Sequence, residues 1–452
     1  RHARGTTCTQ KTTARNAMAL ALTVATTGLA AGHKPVLNVS VDYGAFLARS
    51  DLTWNWDTTA RNPPPNGWWT MAFTGNGLLG AMVTAGNTTG RDIGSIRIEL
   101  GRTDVTDDRM PNSPLATGET TKCDRNRLPI GYFQLATKGR VVSGSMRLHL
   151  YDAVVAGSVT TTEGIVNFTV LTHATRNIHA VNSVGTNGER DGSTWVWNPR
   201  QGNSPWTDTV CLKYKKDYVG NPLQIGGADN RAGIKFTVQP LHSGASYATA
   251  YAKRTEPDGS QTLIASTAGP QGDANVWLTD VNTTGSSLAA AGDVAIGLGL
   301  GWRALRASHQ QWWHAFYPAS FVTVSDSRLE AFYWTQMYKL ASATRDALPG
   351  PSYGAYDHTG PWFTPSDTCC PLFNWDMNLP VQYQVIFGSN HPELGYSLLR
   401  LLADPIVYTD LARNAEWIPT HATPSDADLV IAGPNGITSF RFIEDGGVPP
   451  TA

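Results

Sequence analysis

Residues 74–83 read TGNGLLGAMV, and this stretch decides the fold of the chain. Gly75, Gly77 and Gly80 interrupt an otherwise apolar run. Glycine has no Cβ atom, so it suits places where a strand turns tightly or where another backbone approaches closely. We therefore predict a strand–turn–strand unit that packs tightly against its neighbours. No Gly-Lys-Ser/Thr sequence follows and no helical pattern begins here, so a phosphate-binding loop is not indicated.

On both sides of this stretch, residues 40 to about 300 have mostly β patterns. Residues 96–100 (IRIEL) and 146–150 (MRLHL) alternate with a period of two, and turn pairs such as Asp258-Gly259 follow at short intervals. Many short strands of this kind predict a large antiparallel sandwich. In residues 166–170 (VNFTV), Asn167 and Thr169 alternate with apolar residues, which predicts that Asn167 faces solvent.

After residue 300 the period becomes helical. Ser327 and Glu330 have capping-box spacing at the start of one predicted helix. Its larger side chains recur at helical spacing, at positions Leu329, Phe332, Tyr333, Gln336 and Leu340. Further helices are predicted over about 376–388 and 392–402. The predicted order is a β-sandwich at 40–300, a linker helix at 301–326 and the start of a helical domain at 327–452, which makes a β + α multidomain chain.

The chemistry of the chain is concentrated in residues 360–363 (GPWF) and 373–383 (FNWDMNLPVQY). Aromatic faces suit the C–H faces of a pyranose, while amides and a carboxylate suit its hydroxyls and an attacking water. Asp376 and Asn378 are the candidate catalytic residues. The candidate substrate-binding residues are Trp362, Asn374, Trp375, Gln382 and Tyr383.

Each of these candidates also has a structural interpretation. Asp376 could be a helix N-cap only, because residues 377–387 have a helical pattern. Asn378 could be a buried amide that ties a helix to a loop. Trp362 and Trp375 could be core residues. Packing or surface roles, rather than catalysis, are expected for His309 and His314.

Several blocks together resemble glycoside hydrolase family 95, the inverting α-L-fucosidases and α-L-galactosidases. Residues 43–51 (YGAFLARSD), 68–83 and 98–104 (IELGRTD) resemble the family's N-terminal β domain. Residues 329–345 resemble the first helix of its (α/α)6 barrel, and residues 377–383 (MNLPVQY) align with an asparagine-containing segment of that barrel. The resemblance covers roughly residues 42–402. It implies an antiparallel β-sandwich, a linker helix and a partial (α/α)6 barrel that is truncated at its C-terminal side.

The resemblance also implies a mechanism. In the family, two asparagines two residues apart activate water, and Asn378 matches the second of them. Asp376 occupies the first position, which could provide a direct carboxylate base or indicate a different sugar or chemistry. The general acid is not identified; Glu330, Asp357 and Asp367 are the places to search. Too few residues follow Tyr383 to complete such a barrel, so we expect weak or no hydrolysis. A non-catalytic carbohydrate-binding or structural protein is the competing class.

Composition limits the partners. The net charge of −1 indicates neither nucleic-acid binding nor electrostatic attachment to a membrane. No Cys/His spacing suggests a zinc site, so we expect no metal and no organic cofactor. The expected partner is a carbohydrate, such as a fucosylated or related cell-wall glycan. The sequence leaves the oligomeric state open.

The first residues predict secretion. Basic residues precede the apolar run 17–31, and the first acidic residue is Asp42. Residues 1–31 are therefore interpreted as a signal peptide, with an organellar transit peptide or a mistranslated leader as alternatives. Sequons occur at Asn38, Asn87, Asn167 and Asn282. Four of the five cysteines lie beyond the leader, which permits two disulfides of undetermined connectivity.

Overall fold

The computed structural model describes residues 40–58, 64–65, 70–86, 93–106, 127–203, 219–229, 233–242, 244–271, 285–345, 360–362 and 378–403. For 270–271, 378–380 and 401–402 it describes the backbone alone. The chain divides into two units, Arg1–Val41 and Asp42–Ala452, and the elements below belong to the second. The predicted leader, residues 1–31, lies outside the described residues.

The described elements follow the predicted order of strands first and helices later. The strands are β1 Leu52–Asp57, β2 Ala72–Gly75, β3 Leu79–Thr84, β4 Arg97–Arg102, β5 Gly131–Ala136, β6 Val141–His149, β7 Val154–Thr161, β8 Gly164–Thr172, β9 His179–Gly185, β10 Thr194–Pro199, β11 Ile225–Asp229, β12 Ile234–Pro240, β13 Ser246–Thr255 and β14 Gln261–Gln271. The helices are α1 Tyr43–Leu47, α2 Glu189–Gly192, α3 Gly285–Phe316, α4 Ser327–Ala343, α5 Asn378–Gly388 and α6 Tyr396–Ala403. Short 3-10 helices cover Ala48–Ser50, Tyr317–Ala319 and Pro392–Gly395.

The strands form two antiparallel sheets. The nine-stranded sheet has the order β1-β6-β7-β8-β9-β14-β13-β12-β11, and the five-stranded sheet has the order β10-β5-β4-β3-β2. Strands β2 and β3 of the smaller sheet lie against β6, β7 and β8 of the larger one. A hydrophobic core that includes Trp56, Ile98, Phe133 and Val170 draws residues from both sheets.

Local sequence explains the strands and their turns. In β8 the side chains of Val166 and Phe168 are buried and that of Asn167 is exposed, as the alternation predicts. The turn between β13 and β14 is closed by Asp258, whose carboxylate accepts the Ser260 N–H at 2.9 Å. Gly259 supplies the positive φ of 84° that this turn requires.

The helical part begins earlier than predicted. Helix α3 starts at Gly285, within the range assigned to the sandwich, and it packs on β12, β13 and β14 of the nine-stranded sheet. Ala290, Val294 and Leu305 of α3 belong to a second core, formed with this sheet. The boundary predicted at residue 301 is instead a kink inside the helix, where Gly301 has φ 73° and ψ 171°. Periodicity missed the first half of α3 because small residues blur the contrast between its faces.

The cap of α4 also differs from the prediction. Asp326, not Ser327, is the N-cap, and its carboxylate accepts the Arg328 N–H at 2.9 Å. Glu330 forms no capping box with Ser327. It pairs with Arg49 at 2.7 Å and accepts the Thr323 hydroxyl at 2.6 Å. The helix therefore begins where predicted, but its third-position acid anchors a distant segment instead of its own first turn.

The structure shows two antiparallel sheets and several helices, of which the longer ones follow the strands. The 3-10 helix Pro392–Gly395 and helix α6 occupy the last predicted helical range, and α5 ends at the predicted Gly388. The finer arrangement, a sandwich joined to a partial (α/α)6 barrel, stays a prediction.

Candidate functional site

The predicted site falls mostly outside the described residues. Asp376, Asn374 and Trp375 lie there, as do Asp357 and Asp367. Asn378 is the first residue of α5, and only its backbone is described. Trp362, Gln382 and Tyr383 are described together with their side chains. The structure therefore fixes the two ends of the segment that carries the predicted catalytic residues.

Trp362 is held by packing contacts. Its side chain is buried, its indole Nε1–H donates to the Thr74 carbonyl at 2.8 Å, and its ring meets Phe73 edge to face at 5.0 Å. The preceding Gly360 carbonyl accepts from Arg127 at 2.9 Å. These contacts match the core interpretation of Trp362 and anchor residues 360–362 on the five-stranded sheet. Its role as a sugar-stacking residue stays a prediction.

Tyr383 ties three segments together. It is buried, and its hydroxyl lies 3.1 Å from Oγ1 of Thr344, the residue that ends α4. The same Thr344 oxygen lies 2.6 Å from the Ser397 hydroxyl and donates to the Leu394 carbonyl at 3.1 Å. The network fixes the middle of α5 against α4 and α6.

Gln382 is different from its neighbour. Its side-chain oxygen Oε1 is buried but accepts no hydrogen bond from any described residue. Buried amide oxygens are nearly always satisfied, because an unpaired one costs about 1–3 kcal/mol. Within the described part of the chain, Gln382 therefore has a buried acceptor without a donor, one turn after Asn378.

The glycine turn, residues 75–80, packs against two segments: the C-terminal end of α4 and residues 360–362. A Cβ atom on Gly75 would lie 2.5 Å from the Ser342 carbonyl oxygen, and one on Gly80 would lie 2.7 Å from the Pro361 carbonyl oxygen. Gly77 has φ +88°, and its Cβ would lie 2.5 Å from the Arg345 nitrogen. The tight packing predicted from the three glycines is confirmed. Its neighbours are the end of α4 and residues 360–362, which the sequence could not identify.

Asn76 holds the glycine turn to the nine-stranded sheet. Its side-chain oxygen accepts the Leu79 N–H at 2.8 Å, and its side-chain nitrogen donates to the His173 and Arg176 carbonyls at 3.0 Å each. One amide therefore closes its own turn and joins it to the turn between β8 and β9.

A buried arginine, Arg345, lies beside the glycine turn. We call Arg345, His173 and His309 the junction cluster. Arg345 donates to the Ala341 carbonyl at 2.7 Å and the Ala174 carbonyl at 2.9 Å, and its guanidinium lies 3.3 Å from the Trp312 ring centroid. Among the described residues no ion pair to Arg345 is seen.

Both histidines of the junction cluster are neutral. His309 Nδ1 accepts the Ala174 N–H at 3.1 Å, so its Nε2–H donates to the Asp152 and Ala153 carbonyls. Burial lowers the pKa of His309 to about 3, and burial also lowers the pKa of His173 to about 4. Packing, as expected from the sequence, is the role of His309.

Sequence reasoning missed one polar group. On the face of the five-stranded sheet that carries Trp362, the Glu99 carboxyl lies between the guanidinium groups of Arg97 and Arg200. Burial raises the pKa of Glu99 to about 7, although the charge of Arg97 acts to lower it. The available signal was the alternation in residues 96–100, which puts Arg97 and Glu99 together on the face opposite Ile98. The partner Arg200 is more than 90 residues away and gave no local signal.

Two further findings bear on partners. Within the described ranges, no group of three or more His, Cys, Asp or Glu side chains is placed to hold a metal ion. In the same ranges one helix, Gly285–Ala319, is long and apolar enough to cross a membrane by length and composition alone. Core helices of water-soluble proteins meet the same criterion, and this one packs on the nine-stranded sheet, so no membrane assignment follows.

Comparisons with known proteins give weak structural likenesses. No family model matches the sequence, and neither does any curated protein. One similar solved structure is assigned as a kojibiose phosphorylase from the human microbiome, with a TM-score of 0.39 and 9% identity over 64% of this chain and 38% of that one. A bacterial glucoamylase complexed with acarbose has a TM-score of 0.35 and 9% identity over 78% of this chain and 54% of that one.

A third structure is a family GH92 alpha-mannosidase from Bacteroides thetaiotaomicron in complex with mannoimidazole. Its TM-score is 0.21, with 9% identity over 60% of this chain and 34% of that one. The chain thus spans less than two thirds of the length of each of these proteins. All three are named as carbohydrate-active proteins, but TM-scores below 0.5 do not establish a common fold, and no residue role is transferred from them.

Proposed function

We propose that this chain is a secreted carbohydrate-active protein, similar to the inverting α-L-fucosidases of glycoside hydrolase family 95. Asp376 and Asn378 activate a water molecule, and Trp362, Asn374, Trp375, Gln382 and Tyr383 bind the sugar. The observation that carries the proposal is the unfilled buried acceptor of Gln382. A sugar hydroxyl is a hydrogen-bond donor, which is the chemistry that this oxygen lacks among the described residues.

The anchored flanks support this placement. Residues 360–362 are fixed by Thr74 and Arg127, and the middle of α5 is fixed by Thr344 through Tyr383. Rigid ends favour a binding segment, because less conformational entropy is lost when the ligand binds. The proposed residues therefore belong to a segment whose two ends are held against the same packed core.

The exposed surface of the helices supports a partial barrel. Large apolar side chains that are more than half exposed occur on α4, α5 and α6. They are Leu329, Phe332, Val381, Phe387 and Leu399. Helices that belong to a ring would leave such an edge wherever neighbouring helices are missing. The purified chain is expected to bind a hydrophobic dye. A monomer that does not bind the dye would count against the partial barrel.

The first experiment tests binding through Gln382. Isothermal titration with a fucosylated oligosaccharide should show binding that Gln382→Leu weakens by about 2–10-fold, the value of one hydrogen bond. The same variant should be as stable as the original chain or slightly more stable, because it removes an unsatisfied buried acceptor. Gln384→Leu changes an exposed glutamine of the same helix and is the matched control. Undetectable sugar binding by the unchanged protein would overturn the proposal.

The second experiment separates an enzyme from a binding protein. With aryl α-L-fucosides or α-L-galactosides, Asp376→Asn should lower turnover by ~10²–10⁴-fold if Asp376 is the base. Folding should be unaffected, because asparagine caps a helix nearly as well as aspartate. We expect low basal turnover, since no general acid is assigned. Glu330, one of the three acids considered, is already engaged by Arg49 and Thr323.

The competing function is non-catalytic carbohydrate binding. The engagement of Glu330 favours it, because an inverting hydrolase needs two carboxyl groups. Sugar binding without turnover, unaffected by Asp376→Asn, would establish this alternative.

Secretion is part of the proposal. The apolar run at 17–31 and the exposed Asn167 on β8 support it. Mass spectrometry of the expressed native protein should find an N-terminus near residue 31 and a glycan on Asn167. An intact, unglycosylated protein from cells that secrete and glycosylate would contradict it.

A further inference from the structure

Two arginines converge on the outer face of the five-stranded sheet. Phe73, Met82, Glu99, Tyr132 and Asn198 are directly opposite one another on successive strands, so their side chains share one face. Trp362 packs on Phe73 at one end of this row. Strands lie about 4.8 Å apart, so Glu99 is roughly 10 Å from Phe73 along the row.

We call Arg97 and Arg200 the outer arginine pair. Both guanidinium groups contact the same oxygen of Glu99, Oε1, with Arg200 at 3.0 Å. Both also lie over the ring of Tyr132, with Arg97 at 3.7 Å and Arg200 at 4.9 Å from its centroid. Two cations therefore share one carboxyl group and one aromatic ring.

The pair keeps unused binding capacity. Glu99 is the one carboxyl group in ion-pair contact with either guanidinium among the described residues, and the buried Nε of Arg97 has no acceptor. A guanidinium presents five N–H donors in a planar fork. Two arginines and one ionised Glu99 together carry a net charge of about +1. If Glu99 is protonated, neither arginine charge is compensated.

The pair can also be reached from solvent. The side chains of Arg97 and Arg200 are 16% and 22% exposed, whereas that of Glu99 is 6% exposed. The Glu99 side chain is thus more enclosed than those of the two arginines, each of which keeps a part of its surface exposed. This differs from a fully enclosed ion triad, whose donors are all used internally.

We propose that Arg97 and Arg200 form a subsite for the carboxylate or sulfate group of an anionic saccharide, with Glu99 and Tyr132 as positioning residues. Arginine forks match oxyanions in a bidentate geometry, which explains the choice of two arginines. That the ligand is a saccharide rests on the proposed function and on the row of side chains that begins beside Trp362. The purely structural alternative is an ion triad that joins β4 to the end of β10.

The experiment uses the full chain and three oligosaccharides of equal length: one neutral, one containing uronate and one sulfated. Isothermal titration should give at least tenfold tighter binding of one or both charged ligands than of the neutral one. Arg200→Gln should remove this preference and leave the neutral ligand's affinity unchanged. Arg200→Lys should retain part of the preference, since it keeps the charge and loses the fork. Arg140→Gln, which changes an exposed arginine outside the pair, is the matched control and should change nothing.

Acidity provides a second readout. The charged groups that face Glu99 are Arg97 of β4 and Arg200 after β10, and the titratable group beside it is Tyr132 of β5. Because burial raises the pKa of Glu99 to about 7, lowering the pH from 8 to 6 should increase the protonated fraction of Glu99, so charged ligands should bind severalfold more tightly. Glu99→Gln should keep the binding and remove its pH dependence. A triad with only a structural role would show neither effect.

The outcomes separate this inference from the proposed function. Equal affinity for neutral and charged saccharides, with no effect of Arg200→Gln, overturns the subsite and leaves sugar binding standing. If inorganic sulfate binds in an Arg200-dependent manner but no saccharide does, both the saccharide assignment and the proposed function are wrong. If Arg200→Gln changes only the melting temperature, the structural triad is the correct interpretation.

Discussion

The junction cluster and the outer arginine pair use the same side chain in opposite ways. Arg345 is enclosed, gives two donors to backbone carbonyls and lies against Trp312. Burial lowers the pKa of Arg345 to about 9. Arg97 and Arg200 remain partly exposed and share Glu99. An arginine enclosed by backbone carbonyls and an indole ring serves packing, whereas partly exposed arginines that share one carboxyl group can bind a ligand.

The largest expected effect concerns Gly77, which packs against Arg345 of the junction cluster. Gly77→Ala should lower the free energy of unfolding by at least about 3 kcal/mol. The new Cβ would overlap the Arg345 backbone, and alanine would also be strained by the positive φ of residue 77. Gly259→Ala is the control: its φ is also positive, but no atom lies within 4 Å, so about 1 kcal/mol is expected. Chemical denaturation measures both. Equal losses would show that the close approach at Gly77 does not matter.

Asn76→Ala should cost about 2–4 kcal/mol, because it leaves several backbone groups of two turns unpaired. Asn182→Ala is the matched control, since among the described residues that amide donates to the side-chain hydroxyls of Ser260 and Thr262 and to no backbone group. A cost of about 1 kcal/mol is expected for the control. If the control loses as much as Asn76→Ala, the glycine turn is not specially dependent on its amide.

Acid should weaken the junction. The folded pKa of His309, about 3, lies below its unfolded value of 6.5, so the unfolded chain binds more protons between these values. Stability is therefore present above pH 6.5 and is lost as the pH falls towards 3. His309→Gln keeps one donor and one acceptor but does not titrate, so it should flatten this dependence by about 2 kcal/mol between pH 6.5 and 4. Denaturation at several pH values measures this, with the exposed His242→Gln as control. Parallel profiles for the original chain and His309→Gln would refute it.

The outer pair should respond to pH with the opposite sign. The folded pKa of Glu99, about 7, lies above its unfolded value of 4.5, so the contribution of this group is complete below pH 4.5 and is lost as the pH rises through 7. Glu99→Gln should remove a pH-dependent loss of stability on the order of 1 kcal/mol. This figure is reduced because the two arginines favour the ionised carboxylate. Melting temperatures at pH 5 and 8 provide the measurement. A steeper fall in stability for Glu99→Gln than for the original chain would mean that the carboxyl group is ionised throughout.

Local patterns predicted most of the elements but not their limits or partners. The alternation around Asn167 identified both the strand and its exposed face, because the two faces of a strand are encoded two residues apart. The stripe beginning at Leu329 and Phe332 identified a helix, yet these side chains are exposed and the buried face carries Trp334, Met337 and Tyr338. Helical spacing identifies a helix, but it does not identify the buried face when large apolar residues occur on several faces, as they do on α4.

For the candidate site, the sequence supplied the residue types of the 360–383 segment and the chemistry they allow. Whether Asp376 and Trp375 face a sugar stays a prediction. The structure added the buried contacts of Trp362 and the unfilled oxygen of Gln382. It also revealed the contacts of Glu99 with Arg97 and Arg200, the second of which no local sequence pattern predicted.

Most of the strands and turns, the second half of α3 and the need for close packing at residues 75–80 could be predicted from the sequence alone, because each of these is encoded by neighbours in the chain. Three features depend on the folded arrangement instead: which atoms pack against Gly77, which distant arginine meets Glu99, and where Arg345 is enclosed. These pairings join residues about 100 to 270 positions apart. They follow from strand register and from the packing of α4 on β2, and no local pattern carries that information.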